Sequence, residues 1–266
     1  MKAIITGATG GLGRAFVFEC AKKNYDMVLT ATNITKLNAL KNEVLKSYPS
    51  INIETIECQL NDSDSRENLY TFLSTLEKRP NILINNAGYI FEGSVLGCNM
   101  KEISTCIDVN IKGTTELTYW FLTNREKSVK NYCLFVSSLG GFYPMPQMAT
   151  YAASKSYLTH LAISLRHELN NENVNVSCIA PGGMATSSAM KDSLKSQGLG
   201  GKLSAQSPEK VARIGIKKML KNKPLWVPGL FNKLTLFFSL LVSKQTIATF
   251  VGKRWEKCEK KRGDYR

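Results

Sequence analysis

Short runs rich in Val, Ile and Leu recur along the chain at "AIIT", "DMVLTA", "NIETIEC", "NILINN", "NYCLFVSS" and "VNVSCIA". Runs that are apolar throughout, rather than at every second position, predict strands buried on both faces of a parallel sheet. Between them, residues 12–24, 33–48, 63–78, 101–128 and 152–171 space their apolar positions as amphipathic helices do. A Ser–Pro pair at 207–208 opens a further helix over 207–221, with Pro at the first helical position, and "PLWVPG" at 224–229 reads as the last strand. Strand and helix alternate with the spacing of βα crossover units, which predicts an α/β fold with a doubly wound parallel sheet. Neither an internal repeat nor a Pro/Gly/Ser linker interrupts the pattern, so residues 1–228 are expected to form one domain. Residues 229–266 are expected to extend it as an apolar helix with a basic tail, not as an independent domain. The polar, small-residue stretch 183–206 follows a strand and is expected to form a flap over a site.

Composition narrows this picture in three ways. The 266 residues are 43% hydrophobic and 21% charged, enough for a substantial core. The seven cysteines form no CxxC pair, are odd in number and sit mostly in apolar runs, so a reducing compartment such as the cytoplasm fits better than a disulfide framework. His160 and His167 are the only histidines, too few for a metal site without an acidic or thiol cluster beside them, and no metal is expected. The net charge of +14 is concentrated: residues 201–266 carry 16 Lys/Arg against 4 Asp/Glu, leaving a near-neutral body. A uniformly basic chain would suggest nucleic acid; this one has a basic C-terminal quarter instead, and no nucleic-acid partner is expected. "KAIITG" is already a strand entering a glycine turn at Gly7, so no signal peptide is expected.

The candidate chemistry lies where strands end. "TGATGGLG" places Gly7, Gly11 and Gly13 after the first strand and at the start of a helix. Glycine is needed where the chain turns sharply and where backbone approaches a phosphate, and the helix N-terminus favours an anion. Dinucleotide binding follows, with Thr9 and Leu12 in the same loop. "NNAG" ends the fourth strand; Gly88 allows close approach, Ala87 precedes it, and Asn86 can cross-link strands or touch a ribose. In "YAASK", Tyr151 and Lys155 stand four apart, on one face of a predicted helix. An ammonium held near the phenol favours the phenolate and would bring it within range for proton transfer.

Together, "TGATGGLG", "NNAG", Asn110 in "DVNIKG", "SS" at 137–138, "YAASK" and "PGGMAT" at 181–186 resemble, in order and interval, the short-chain dehydrogenase/reductase family, over residues 1 to about 228. The resemblance implies a Rossmann-type fold, a nicotinamide cofactor, a carbonyl or alcohol substrate, a homo-oligomer such as a dimer, and a catalytic set on Asn110, Ser138, Tyr151 and Lys155. It implies that Tyr151 exchanges the proton, that Ser138 donates to the substrate oxygen, that Lys155 also holds the nicotinamide ribose, and that Asn110 anchors a water-linked relay. It extends cofactor contact to Pro181, Gly182 and Thr186.

Two positions depart from the family pattern. After the second strand, Ala31 and Thr32 stand where an acidic residue would mark NAD or a basic one NADP. Gln59, with Leu60 beside it, replaces a frequent aspartate near the adenine. Thr32 can bond a 2′-phosphate, Arg14 and Lys36 are candidate countercharges, and no carboxylate is expected to stand ready to repel it, so NADP(H) is favoured with modest discrimination and NAD(H) remains open. The apolar stretch between Lys233 and Lys244 is far short of the ~20 residues that span a bilayer. A helix over 229–251 would put Leu230, Leu234, Phe237 and Leu241 on one stripe. It could pack on the body or a partner copy, cover an apolar substrate mouth, or touch an anionic membrane peripherally. Similar tails in family members that act on lipid-like carbonyls imply a hydrophobic small-molecule substrate.

Overall fold

The computed structural model describes residues 1–185 and 198–262, with backbone alone for Leu199 and residues 257–262. Its centre is a sheet of β1 (Lys2–Thr6), β2 (Asp26–Ala31), β3 (Ile53–Glu57), β4 (Ile82–Asn85), β5 (Asn131–Val136), β6 (Val174–Ile179) and β7 (Leu225–Trp226). The order across the sheet is β3-β2-β1-β4-β5-β6-β7 and every pairing is parallel. This is the doubly wound, Rossmann-type arrangement, with the order reversing between β1 and β4. Each expected strand is present.

Helices cover both faces. α1 (Gly11–Ala21) and α2 (Ile34–Ser47) lie on one, and α3 (Ser63–Ser74) on the other. α4 (Met100–Ile107) passes through a π-helical turn, Asp108–Gly113, into α5 (Thr114–Asn124), and α6 (Ala149–Glu168) follows β5. After β6 come α7 (Gly198–Ser204) and α8 (Pro208–Leu220); α9 (Leu230–Leu240) and α10 (Lys244–Arg262) follow β7. Ala3 and Ile5 of β1 join Phe16, Leu40 and Ile216 in the first core layer, whereas Ile4 joins Leu69, Phe121 and Leu158 in the second. Successive residues of one strand thus serve opposite layers, which is why the strand sequences carry no polar alternation.

Two helices differ from expectation. The single helix expected over 101–128 is divided by the π-helical turn, which holds Asn110. There Gly113 packs so closely that an added Cβ would come 2.4 Å from the Leu60 carbonyl oxygen. The helix expected over 229–251 is two helices, because Ser243 starts the second: its hydroxyl accepts the Thr246 N–H at 3.1 Å and its carbonyl the Ile247 N–H at 3.1 Å.

Candidate active site

The carboxyl ends of the strands open onto a cavity of about 630 Å³. Its first wall is the β1–α1 turn, where Gly7, Thr9, Gly11, Leu12 and Gly13 all line the space. Gly7 has φ +63°, and a Cβ at Gly13 would lie 2.0 Å from the Gly7 carbonyl oxygen, so neither position accepts a side chain without displacing backbone. Gly10 caps α1 without a side-chain hydrogen bond, and no acidic residue stands in the first turn. The leading N–H groups of a helix lack partners within it, so this end of α1 is free to receive an anion.

Polar bonds hold the end of β4 against this turn. The Thr6 hydroxyl accepts the N–H groups of Asn86 and Ala87 at 3.0 and 2.9 Å, and Asn86 Nδ2 donates to the Thr6 and Gly7 carbonyls at 2.8 and 3.2 Å. Asn86 therefore spends its amide donor on cross-linking strands, the first of the two roles open to it in sequence.

α6 supplies the next wall. Tyr151 and Lys155 both line the cavity one helical turn apart, with Lys155 Nζ 5.8 Å from the centre of the tyrosine ring. Lys155 is buried and Nζ donates to the Val136 carbonyl at 3.0 Å, which fixes it at the end of β5. Ser137 braces the same turn, donating to the Lys155 carbonyl at 2.8 Å. Ser138 faces the cavity beside Tyr151, and its hydroxyl also accepts the Gly140 N–H at 3.2 Å.

Asn110, fully buried, reaches this group from the π-helical turn. Its Oδ1 accepts the Tyr89 N–H at 2.7 Å, while Nδ2 donates to the Tyr89 carbonyl and to Ser154 Oγ, both at 2.9 Å. Ser154 in turn donates to the Tyr151 carbonyl at 2.7 Å, so Asn110 and Tyr151 are joined through one hydroxyl. A Cβ at Gly88 would come 3.2 Å from Lys155 Nζ and 3.4 Å from Asn110 Oδ1. Glycine there leaves a small space bounded by a donor and an acceptor.

The charge balance differs from the one expected. Burial pushes the Tyr151 phenol above its ordinary 10, opposed by the adjoining Ser138 hydroxyl. Burial likewise lowers Lys155 from 10.5 to about 8. Desolvation is the dominant influence on both groups and opposes stabilisation of the phenolate by the lysine.

At the far end, Ala31, Thr32, Cys58, Leu60 and Asn61 line the cavity, but Gln59 is exposed and does not. Cys58 and Leu60 turn inward with the alternation that continues from β3, and Gln59 turns out. The fold also alters the charges near Thr32. Glu57 lies opposite Ala31 in the β2–β3 pairing, and its carboxylate accepts the Ile34 N–H at the start of α2 at 3.1 Å. The carboxylate absent from the local sequence is thus supplied by the neighbouring strand. Arg14 is held by Glu43 at 2.8 Å, whereas Lys36 is exposed on the first turn of α2.

Pro181 and Gly182 line the cavity after β6; Thr186 lies outside the described residues. The segment after β4 contributes Tyr89, Ile90 and Glu92, the segment after β5 contributes Tyr143, Met145 and Met148, and the expected flap contributes Met184 and Ser204. The tail closes it: Phe231, Asn232 and Thr235 of α9 and Val251, Arg254 and Trp255 of α10 line the same cavity. Trp255 is buried against Met148, with Tyr151 packed alongside. Of the roles open to the tail in sequence, covering the mouth of the cavity is the one these contacts match, but Asn61, Ser154, Asn232, Thr235, Val251, Arg254 and Trp255 were not among the residues expected at the site. A lone Trp in a basic run was the available signal for the last.

Known proteins share related sequences and folds with this chain. The family model for short chain dehydrogenases matches residues 1–197. A very-long-chain 3-oxoacyl-CoA reductase of Coccidioides immitis is 29% identical over 66% of this chain and 51% of its own length. A dehydrogenase/reductase SDR family protein 7-like of Drosophila melanogaster is 30% identical over 83% of this chain and 70% of its own. The chain thus spans about half the length of the very-long-chain 3-oxoacyl-CoA reductases it matches. Among solved structures, a 7beta-hydroxysteroid dehydrogenase superposes with a TM-score of 0.85 at 19% identity, covering 94% of this chain and 96% of that one. A short-chain dehydrogenase from Sphingobium yanoikuyae in complex with NADPH gives 0.76 at 22%, covering 86% and 88%.

Proposed function

The chain belongs to the short chain dehydrogenase family, and on that premise we propose that it is an NAD(P)-dependent oxidoreductase interconverting a hydrophobic ketone or aldehyde and its alcohol. The observation that carries the reading is convergence: a glycine cradle at a helix N-terminus and a Ser–Tyr–Lys group share one cavity. The cradle fits a dinucleotide, since Gly7 and Gly13 leave backbone where side chains would block a pyrophosphate. When bound, the nicotinamide supplies or accepts the hydride.

The chain's own residues perform the proton chemistry. In the reducing direction Tyr151 gives its phenolic proton to the substrate oxygen, and Ser138 donates a hydrogen bond to the charge developing there. Lys155, fixed by Val136 and Ser137, holds the ribose and favours the phenolate left behind. The proton is restored through the space over Gly88, between Lys155 and Asn110. The tail and the segment after β4 present Ile90, Phe231, Val251 and Trp255 to the substrate, which suits an apolar carbonyl compound. NADP(H) is favoured through Thr32 and Lys36, with Glu57 limiting the discrimination. A reducing compartment, the cytoplasm, suits Cys20, Cys133 and Cys178, which are buried in the apolar core as small hydrophobic side chains.

The test is a turnover screen of ketones and aldehydes, from polar to long-chain, with NADPH and NADH in parallel. Oxidation of a reduced cofactor that improves with apolar chain length is expected. Tight cofactor binding without turnover on any carbonyl would instead mark a nucleotide-binding regulatory protein.

A further inference from the structure

α9 presents two apolar faces with different surroundings. One carries Phe231, Asn232 and Thr235 into the cavity wall, and Leu236 packs beside Leu139 and Val227. The other carries Leu230, Leu234, Phe237 and Leu241 along one stripe, flanked by Phe238 and Leu240. Phe237 is 56% exposed, Leu240 73% and Leu241 69%. Val242 in the turn to α10 is exposed as well, and so is Phe250 on α10. An apolar patch of such breadth at the edge of a cavity requires an occupant.

The surrounding charge identifies it. From Lys210 to Trp255 the chain has ten Lys/Arg and no Asp or Glu. Lys233, Lys244 and Lys253 are exposed along the two helices that carry the patch. Lys218 and Lys233 crowd one indole, 3.2 and 4.0 Å from the Trp226 ring centre. In a symmetric pair of copies each patch would meet its own equivalent, bringing these cations together with no acidic residue in the segment to separate them. An anionic lipid surface satisfies both features, taking the apolar stripe into its acyl boundary and the lysines among its head groups.

We propose that α9 and the α9–α10 turn dock on an anionic lipid surface, and that the cavity beside them draws its apolar carbonyl substrate from that surface. The proposed contact is peripheral, made by one face of α9 and the turn after it; no helix among the described residues is long and apolar enough to cross a membrane. The substrate half of this inference rests on the oxidoreductase reading; the docking half does not.

The full chain is sedimented with vesicles of phosphatidylcholine alone and with about one third phosphatidylglycerol, at low and high salt. Binding to the anionic vesicles that falls at least about tenfold in high salt is expected. Phe237→Asp with Leu241→Asp should abolish it, and Lys244→Glu with Lys253→Glu should weaken it at low salt. All four positions are exposed, so circular dichroism should match wild type. Both double variants should keep turnover of a small water-soluble carbonyl, while Phe237→Asp with Leu241→Asp loses a long-chain carbonyl presented in vesicles. Absence of wild-type binding at low salt, or equal binding to neutral vesicles, overturns the docking. So does a dimer that Leu241→Asp dissociates, because the patch would then be covered by a second copy. Failure of all turnover with vesicle binding intact would instead defeat the oxidoreductase reading.

Discussion

The two groups proposed to move the proton, Tyr151 and Lys155, are both perturbed by burial, and this gives a testable consequence for stability. Lys155 titrates near 8 when folded against 10.5 in its ordinary state, so between those values the unfolded chain holds more protons. Stability from this group therefore rises with pH across that window and carries its full penalty below it. The penalty is about 3 kcal/mol at 1.36 kcal/mol per unit. Urea unfolding of the cofactor-free protein should find Lys155→Met more stable than wild type at pH 7, with the advantage shrinking towards pH 10. An advantage that grows with pH would mean that the ammonium is stabilised in the fold. A second residue, Glu57, is proposed to set cofactor choice. The Glu57 carboxylate sits at the start of α2, near where a 2′-phosphate is proposed to meet Thr32 and Lys36. Glu57→Gln should tighten NADPH about fivefold, the effect of roughly 1 kcal/mol between close charges, and leave NADH unchanged. Equal tightening of both would exclude an effect on the phosphate. Glu57 was invisible in the sequence as a neighbour of Thr32, because only the β2–β3 register brings the two together.

Among the elements, strand positions were legible wherever a run was apolar throughout, since burial on two faces leaves no other pattern. The π-helical turn was not legible. Its cause is tertiary, in the approach of Gly113 to the Leu60 backbone and the bonding of Asn110 to Tyr89. The break at Ser243 was legible in principle, because a serine before "KQT" is an ordinary helix start, but the apolar stripe masked it. The turn holding Asn110 matters through the space over Gly88. Gly88→Ala would fill that space, and the Lys155 side-chain end could shift to accept the methyl group. The variant should fold and bind cofactor yet lose turnover by at least about tenfold, as expected when proton transfer is impaired. Unchanged turnover would remove that space from the proton path.

At the scale of the molecule, the site is assembled from both ends of the chain. The glycine cradle comes from residues 7–13, and the substrate end is closed by α9 and α10. The motifs made the first part legible, because close approach of backbone to phosphate demands glycine at fixed intervals. They did not reveal the closure, since an apolar stripe and a basic run do not say which way a helix faces. Trp255 joins the tail to the centre through Met148 and Tyr151. Trp255→Ala should cost about 3 kcal/mol of stability and raise KM for apolar carbonyls more than it lowers kcat; an unchanged KM would place the tail outside the substrate site. The central claim is that one tyrosine delivers the proton to a bound carbonyl. Its most direct measurement pairs steady-state turnover with equilibrium NADPH binding in wild type and Tyr151→Phe. The variant should keep NADPH affinity within about twofold and lose kcat by about three orders of magnitude. Near-normal kcat in Tyr151→Phe on a good substrate would contradict it.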